Sequence, residues 1–450
     1  MSATSRAPNT RLRALISEAR WTGQGLARAV NAAGSELGLD LTYDRTTVSH
    51  WLSGSRPPAT VARLAAEVLS RRLARVVTVQ DTCLGPPGLR TAVPAAPDAR
   101  ETYEGAAELV DLCAADADPS RRAALRDLVY SVAALRAAGG QLRATANAIL
   151  DDRRARGSQR AQAVRTMTGL FSTADGLFGG GHIRPALTAY LSGDVAHWLR
   201  RPGPPEAQRE LTAAVAELGY LAAFVCFDSG LHGLAQRYYL ASLGLAGQAQ
   251  DPALRATILR GMSVQAYSLR HVREALQLAE AADSYSSSLP PARAASLAGQ
   301  LAVASAANGL HREASAHLRR AEGLLDDRDS ADGPVGAYHR SALCYQASEV
   351  LAAGGDRRGA IGVLSSSIRQ RPDGERRSRA ITVARLAHLQ LDVGHLEAAC
   401  GTVGLLCEDY PYLHSARTAD SLDALRMRLR PFSRNPEARA TLARISALRE

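Results

Sequence analysis

The sequence predicts an all-α protein, on three observations. Hydrophobic residues make up 46% of the chain and are supplied mainly by Ala and Leu, while aromatics reach only 5%, a mixture that favours closely packed helices over sheets. Apolar residues recur at spacings of three and four, as on one face of a helix. Small residues also recur in a fixed register along the second half of the chain. At 450 residues the chain exceeds one ordinary core, and about 100–200 residues per domain implies two to four units.

The first unit is expected at residues 9–82. Leu12, Leu15 and Ile16 make one amphipathic helix, and Thr22 caps a second that carries Leu26, Ala27 and Val30. Asp44 caps a third, in which Val48, Trp51 and Leu52 share one face, leaving Arg45, Thr46, Ser49, His50 and Ser53 on the other. Gly54 stops that helix, and Pro57-Pro58 prevents its continuation while leaving Arg56 free to extend outward. Val61, Leu64, Ala65, Val68 and Leu69 form a fourth. Four short helices closing on Trp51 make a small core.

The segments "GQGLARAV" and "TTVSHWLSGSRPP" resemble the phage-repressor-like (XRE, Cro/C1 type) helix-turn-helix family over about 70 residues. The spacing of Val48, Trp51, Gly54, Arg56 and Pro57 is the most specific part. The resemblance implies double-stranded DNA as a partner. Arg45, Thr46, Ser49 and His50 would face base edges in the major groove, while Thr22, Gln24 and Arg56 would hold phosphates. Arg45 can donate twice to a guanine; His50 either reads a base or lies along the backbone. One departure is the interval from Val30 to Asp44, where the family has a tight turn. Residues 31–41 therefore extend the second helix or form a loop packed by Leu37, Leu39 and Leu41.

Pro86, Pro87, Pro94 and Pro97, with Gly85 and Gly88, make residues 83–100 a linker of extended character. A helical connecting region is expected over 101–205, with helices near 106–115, 120–138, 160–178 and 183–199. The "FGGGH" of Phe178–His182 lacks the Lys and Ser/Thr that end a nucleotide loop, so it reads as a tight interhelical turn or hinge.

Residues 206–412 carry the repeat. Small residues stand twelve before and seven after a reference alanine: Ala223, Ala235 and Ser242; Ser263, Ala275 and Ala282; Ala302, Ala314 and Ala321; Ser348, Ala360 and Ser367. A weaker fifth unit has Ala387, Ala399 and Leu406. Gly230, Gly309, Gly355 and Gly394 lie five residues before their reference alanine, at the expected turn between paired helices, and Arg270 stands there in the second unit. This register resembles tetratricopeptide repeats, which stack into an α-solenoid. The reference alanines are 40, 39, 46 and 39 residues apart, longer than the family's usual 34 or so. In that family the first helix of each pair lines the concave side, which implies a ligand or peptide groove at Tyr220, Phe224, Arg260, Tyr267, Tyr345, Glu349 and His388. Ordinary packing between repeats is the alternative reading of each. Residues 413–450 are expected to form capping helices or a dimer surface.

The formal charge of +10 is uneven. Residues 1–90 hold 12 Arg against 6 Asp and Glu, which suits attraction to phosphate, although a solvated basic face has the same composition. All 54 basic residues are Arg, as a GC-rich coding bias would produce. The six cysteines show no CxxC pair and no His-containing metal spacing, so buried reduced thiols, no metal and a cytoplasmic location are expected. No membrane span or signal core is evident. HExxH, GxSxG and Walker motifs are absent, so neither an enzyme nor a cofactor is expected.

The two resemblances together are similar to actinobacterial helix-turn-helix regulators and to peptide-responsive regulators of Gram-positive bacteria. They imply a transcriptional regulator, with repression favoured, that acts as a homodimer and senses a peptide, protein or small-molecule effector. The alternative is a tetratricopeptide interaction scaffold that reads no DNA.

Overall fold

The computed structural model describes residues 8–85, 105–118, 130–137, 159–200, 204–325 and 338–448. Every regular element among them is helical, in keeping with the all-α class. The chain divides into two compact units. The first comprises the described parts of 1–103, 120–144 and 231–236; the second, those of 104–119, 145–230 and 237–450. Most of the expected linker, from residue 86 on, lies outside the described residues, as do residues 120–129 of the helix expected over 120–138.

In the first unit, α1 (Thr10–Glu18), α2 (Gly23–Ser35), α3 (Arg45–Leu52), α4 (Ala59–Leu73) and α5 (Val79–Thr82) surround one core. Its start is fixed by Asn9, whose side chain accepts from the Leu12 N–H at 2.9 Å and donates to the Thr82 carbonyl at 2.8 Å. That side chain caps α1 and ties it to the end of α5. Val48 and Trp51 are buried as their helical spacing predicts, and Trp51 meets Tyr43 edge to face at 5.4 Å.

The long interval before α3 uses both expected solutions. α2 runs on to Ser35, and Leu37, Leu39 and Leu41 pack half-buried on the core. Asn31 holds the returning segment of this loop, donating to the Tyr43 carbonyl at 2.9 Å and accepting from its N–H at 3.0 Å. Residues 130–137 dock on α4 in this same unit: Glu67 accepts from the Val132 N–H at 2.9 Å, and Arg71 donates to the Tyr130 carbonyl at 2.9 Å. Nothing in the local composition signals this long-range docking.

The second unit begins with α6 (Gly105–Ala117) and α7 (Gln159–Phe178). α8 (Gly180–Tyr190) follows and continues through a π turn (Leu191–Val195) to Leu199. Five helical hairpins come next: α9 (Pro205–Asp228) with α10 (His232–Gln248, of which residues 237–248 belong to this unit), where Tyr220 meets Tyr239, α11 (Pro252–Ser268) with α12 (Val272–Asp283), and α13 (Pro291–Ala307) with α14 (His311–Leu324). The last two pair α15 (Arg340–Ala353) with α16 (Arg357–Gln370), and α17 (Arg376–Asp392) with α18 (Leu396–Asp409). α19 (Ala416–Leu429) and α20 (Pro436–Ala447) close the chain.

The alanine register has a direct physical meaning. All fifteen register positions, five reference residues with their partners twelve before and seven after, are at most 1% exposed. Small residues fill fourteen of these buried positions, and Leu406 stands at the fifteenth, in the last hairpin. Each hairpin turn has three residues, and its second residue adopts the left-handed conformation: Gly230, Arg270, Gly309, Gly355 and Gly394, with φ between 65° and 91°. Arg270 alone among them carries a Cβ there.

The ends of this row of hairpins are joined. α7 packs on both α9 and α17. The Gly181 N–H donates to the His414 carbonyl at 2.8 Å, and the His414 N–H to the Phe178 carbonyl at 2.7 Å. A Cβ on Gly180 would lie 2.7 Å from the Val225 carbonyl oxygen, and one on Gly181 would lie 2.8 Å from that of His414. The triple glycine thus makes the expected interhelical turn and also a backbone joint between the segment before the hairpins and the segment after them.

α9 is long and apolar enough to cross a membrane by length and composition, but 78% of its apolar window is buried in the unit.

Candidate functional site

Two places carry chemistry. The first is the outer face of α3. The Asp44 carboxylate accepts from the Thr47 N–H at 2.8 Å and the Thr47 hydroxyl at 2.9 Å, and these bonds hold it below its usual pKa. Gln24 reaches across from α2, its Oε1 accepting from the Arg45 N–H at 3.0 Å, while Thr22 caps α2 by accepting from the Gly25 N–H. The beginnings of the two helices are therefore coupled. Arg45, Thr46, Ser49 and His50 are all exposed, as are Thr22 and Arg56, and Gln24 is half-buried. Arg45 and Arg56 make no ion pair among the described residues.

Other arginines of this unit are engaged. Arg71 bridges Glu36 at 2.7 Å and Glu67 at 2.8 Å, Arg75 meets Glu18 at 2.6 Å, and Arg72 donates to the Ala19 carbonyl and lies over Trp21. Net charge alone does not separate these structural arginines from the outward ones. Arg28, exposed one helical turn beyond Gln24, extends the coupled face and was not selected by the sequence motif.

The second place is a cavity of about 390 Å³ within the hairpin unit. Tyr220, Phe224, Arg260, Tyr267, Tyr345 and Glu349 all line it. Its walls follow a stripe on the first helix of each hairpin. Eighteen residues before the reference alanines stand Glu217, Thr257, Ser296, Ala342 and Ile381, and all five line the cavity. Eleven before stand Phe224, Val264, Val303 and Glu349, which line it too. His388 occupies that position in the fifth hairpin but is not among the lining residues. Arg428 of α19 covers it, with Nη1 3.2 Å from its Nδ1 and donating to its carbonyl at 3.1 Å. Burial, reinforced by Arg428 and Arg385, lowers its pKa to about 4.

The cavity combines tyrosine rings with charge. Tyr267 donates to Glu349 Oε2 at 2.6 Å, and Arg385 Nε donates to Glu349 Oε1 at 2.5 Å. Burial pushes the hydroxyls of Tyr220, Tyr267, Tyr338 and Tyr345 up, that of Tyr345 to about 12. They stay protonated at neutral pH, with the proton of Tyr267 given to Glu349 and that of Tyr338 to Gln346 at 2.7 Å. Arg260 donates to the Ser296 carbonyl at 3.0 Å and lies over the Tyr338 ring.

At one side, Arg377 Nη2 donates to Asp175 Oδ2 at 2.9 Å, and its guanidinium lies 4.6 Å from the centre of Phe224. Burial raises the Asp175 carboxyl to about 6 despite that pair. Arg371 donates to Glu375 at 2.7 Å, and Glu375 is also 2.8 Å from His339 Nε2. Asp175, Arg371, Arg377 and Arg417 lie outside the repeat positions chosen from the first helices. Asp175 on α7 and Arg417 on α19 come from outside the hairpins and reach the cavity because the ends of the row are joined, a contact without a local signal. Among the described residues, no group of three or more His, Cys, Asp or Glu could hold a metal ion. Of the six thiols, Cys113, Cys226, Cys400 and Cys407 are buried, Cys344 is half-buried and Cys83 exposed.

No curated protein matches the chain. Residues 12–85 match the family described as the SP15 N-terminal domain, a stretch that takes in α2–α5, nearly all of α1 and the whole outward face of α3.

Proposed function

We propose that the protein is a sequence-specific DNA-binding transcriptional regulator whose hairpin unit receives a small-molecule effector. The observation that carries the reading is the division of α3: Val48 and Trp51 are buried, while Arg45, Thr46, Ser49 and His50 are exposed. Arg45 can donate twice to guanine, Thr46 and Ser49 can serve either donor or acceptor groups, and Thr22, Gln24 and Arg56 can hold the backbone. A solvated surface helix needs no such coupling between Gln24 and the start of α3; a helix held at a fixed angle to its neighbour does.

The cavity supports a small effector over a protein or a long peptide. Its volume lies at the low end of small-molecule sites, about 300–1,000 Å³, and its lining joins aromatic rings to a few fixed polar groups as such sites do. Effector binding would shift the population that is competent for DNA by as much as its affinities for the two states differ. In this proposal the regulator works as a homodimer in the cytoplasm, presenting two reading helices about 34 Å apart, and represses by occupying its site.

The test is selection of bound genomic fragments by the purified full chain at two salt concentrations. A two-fold-symmetric motif that survives the higher salt is the expected result. Binding that shows no motif and collapses with salt means that only phosphate is being attracted, and the regulator reading fails.

A further inference from the structure

We infer that the hairpin-unit cavity binds a small organic monoanion, a carboxylate on an aromatic or aliphatic body, and that Arg417 takes its charge. The inference rests on the reading of this cavity as the effector site. Phe224 and Phe227 pack edge to face at 6.0 Å, and each carries a guanidinium: Arg377 lies 4.6 Å from the Phe224 centre and Arg417 lies 4.5 Å from that of Phe227. The two are not equivalent. Arg377 has a carboxylate at 2.9 Å in Asp175, whereas Arg417 has neither an ion pair nor a side-chain hydrogen bond among the described residues.

Stacking on a ring leaves the in-plane N–H donors of a guanidinium unused. A positive charge held among protein groups without an acceptor is costly, and Arg417 lines the cavity. Asp228 is the carboxylate whose charge acts most on Arg417, but it makes no hydrogen bond to that guanidinium: it accepts from the Gly180 N–H at 3.0 Å and the Ser415 hydroxyl at 2.9 Å and lies 4.0 Å from Arg377 Nη1. The missing partner is therefore an oxygen anion that enters through the cavity.

The surrounding charge sets its size. Six arginines and five carboxylates line the cavity, which leaves room for one negative charge. A dianionic phosphate would face Asp175, Glu349 and Glu375 with nothing to balance its second charge. The tyrosine rings suit the body of such a ligand, and the protonated hydroxyls of Tyr220 and Tyr345 suit its hydrogen-bond acceptors, those of Tyr267 and Tyr338 being given to Glu349 and Gln346.

The test uses the full chain and a panel of monocarboxylic acids that includes phenylacetate, 3-(4-hydroxyphenyl)propionate and indole-3-acetate, each beside its neutral primary amide. Binding is read by calorimetry and by thermal shift. The acids are expected to bind about tenfold to a hundredfold more tightly than their amides, the range of a charge-assisted hydrogen bond. Arg417→Gln should erase that preference, and Arg417→Lys, which keeps the charge, should retain part of it. Amides that bind as tightly as acids overturn the inference and leave the effector site standing, as does a preference that survives Arg417→Gln while both variants are folded. If neither acids nor amides bind, the inference and the effector-site reading fall together, while the DNA-selection experiment still tests α3 separately.

Discussion

In the N-terminal unit Arg45, at the start of α3, and Arg56, in the loop after it, stand exposed without ion pairs among the described residues, whereas in the hairpin unit the side chains of Arg371 and Arg377 are buried against Glu375 and Asp175. The same side chain serves opposite purposes. On α3 its donors face solvent, where a guanidinium is well hydrated and the gain from a new partner comes from geometry and counterion release. In the cavity wall, hydration is lost, and each buried charge must find a partner within the fold or in a ligand. Substitutions in the first place should therefore change recognition and spare the fold, while those in the second should change both.

The largest expected effect comes from breaking a buried pair. Arg377→Ala would leave Asp175 facing the cavity wall without its cation, at a cost of about 3–5 kcal/mol, and thermal or urea unfolding measures it. A loss comparable to a surface substitution would show that this end of the row of hairpins is loosely held, and the proposed contrast would break there.

On the other side of the comparison, the Arg45→Ala, His50→Ala double variant should lose about tenfold to a hundredfold in affinity for its selected site. Its unfolding midpoint should stay within the range of ordinary surface changes, about 0.5 kcal/mol. Competition against unrelated DNA reads the selectivity; if that is unchanged, these side chains are not the readers.

His388 sharpens the contrast by pH. Its folded-state pKa of about 4 lies below the ordinary value of 6.5, so as pH falls the unfolded chain takes up a proton first. Stability should decline from pH 6.5 toward 4 and level off for this group below that. His388→Gln should remove this part of the slope in a pH series of unfolding curves. Equal slopes in the two proteins would mean that the ring is not held neutral by α19.

The smallest effect is expected at Arg270, the hairpin turn residue with φ of 65° and a Cβ. Arg270→Gly relieves the left-handed strain and also loosens the unfolded chain, so a net gain of about 0.5–1 kcal/mol is expected in thermal unfolding. A loss would show that the arginine side chain contributes more than its backbone costs.

Much of the architecture was legible in the residues. Val48 and Trp51 lie buried where a period of three and four places them, and every position of the alanine register is buried. The left-handed turns were marked too, including the one filled by Arg270. Six of the seven residues proposed for the groove line one cavity, because a repeat that fixes one helix's orientation fixes the same stripe on all. The seventh, His388, lies outside that cavity: in the last hairpin the stripe position is met by Arg428 of α19.

What the sequence determined by itself was therefore local or periodic: helix faces, caps, turns and the shared stripe, each set by interactions within a few residues or within one repeat. Only the tertiary structure decided how the row of hairpins is closed. The glycines at 179 and 181 and the segment around His414 come together across more than two hundred residues. That closure carries Asp175 to Arg377, brings Arg417 over Phe227 and leaves its charge facing the cavity. No periodicity encodes such a contact, because it depends on the accumulated geometry of every hairpin in between.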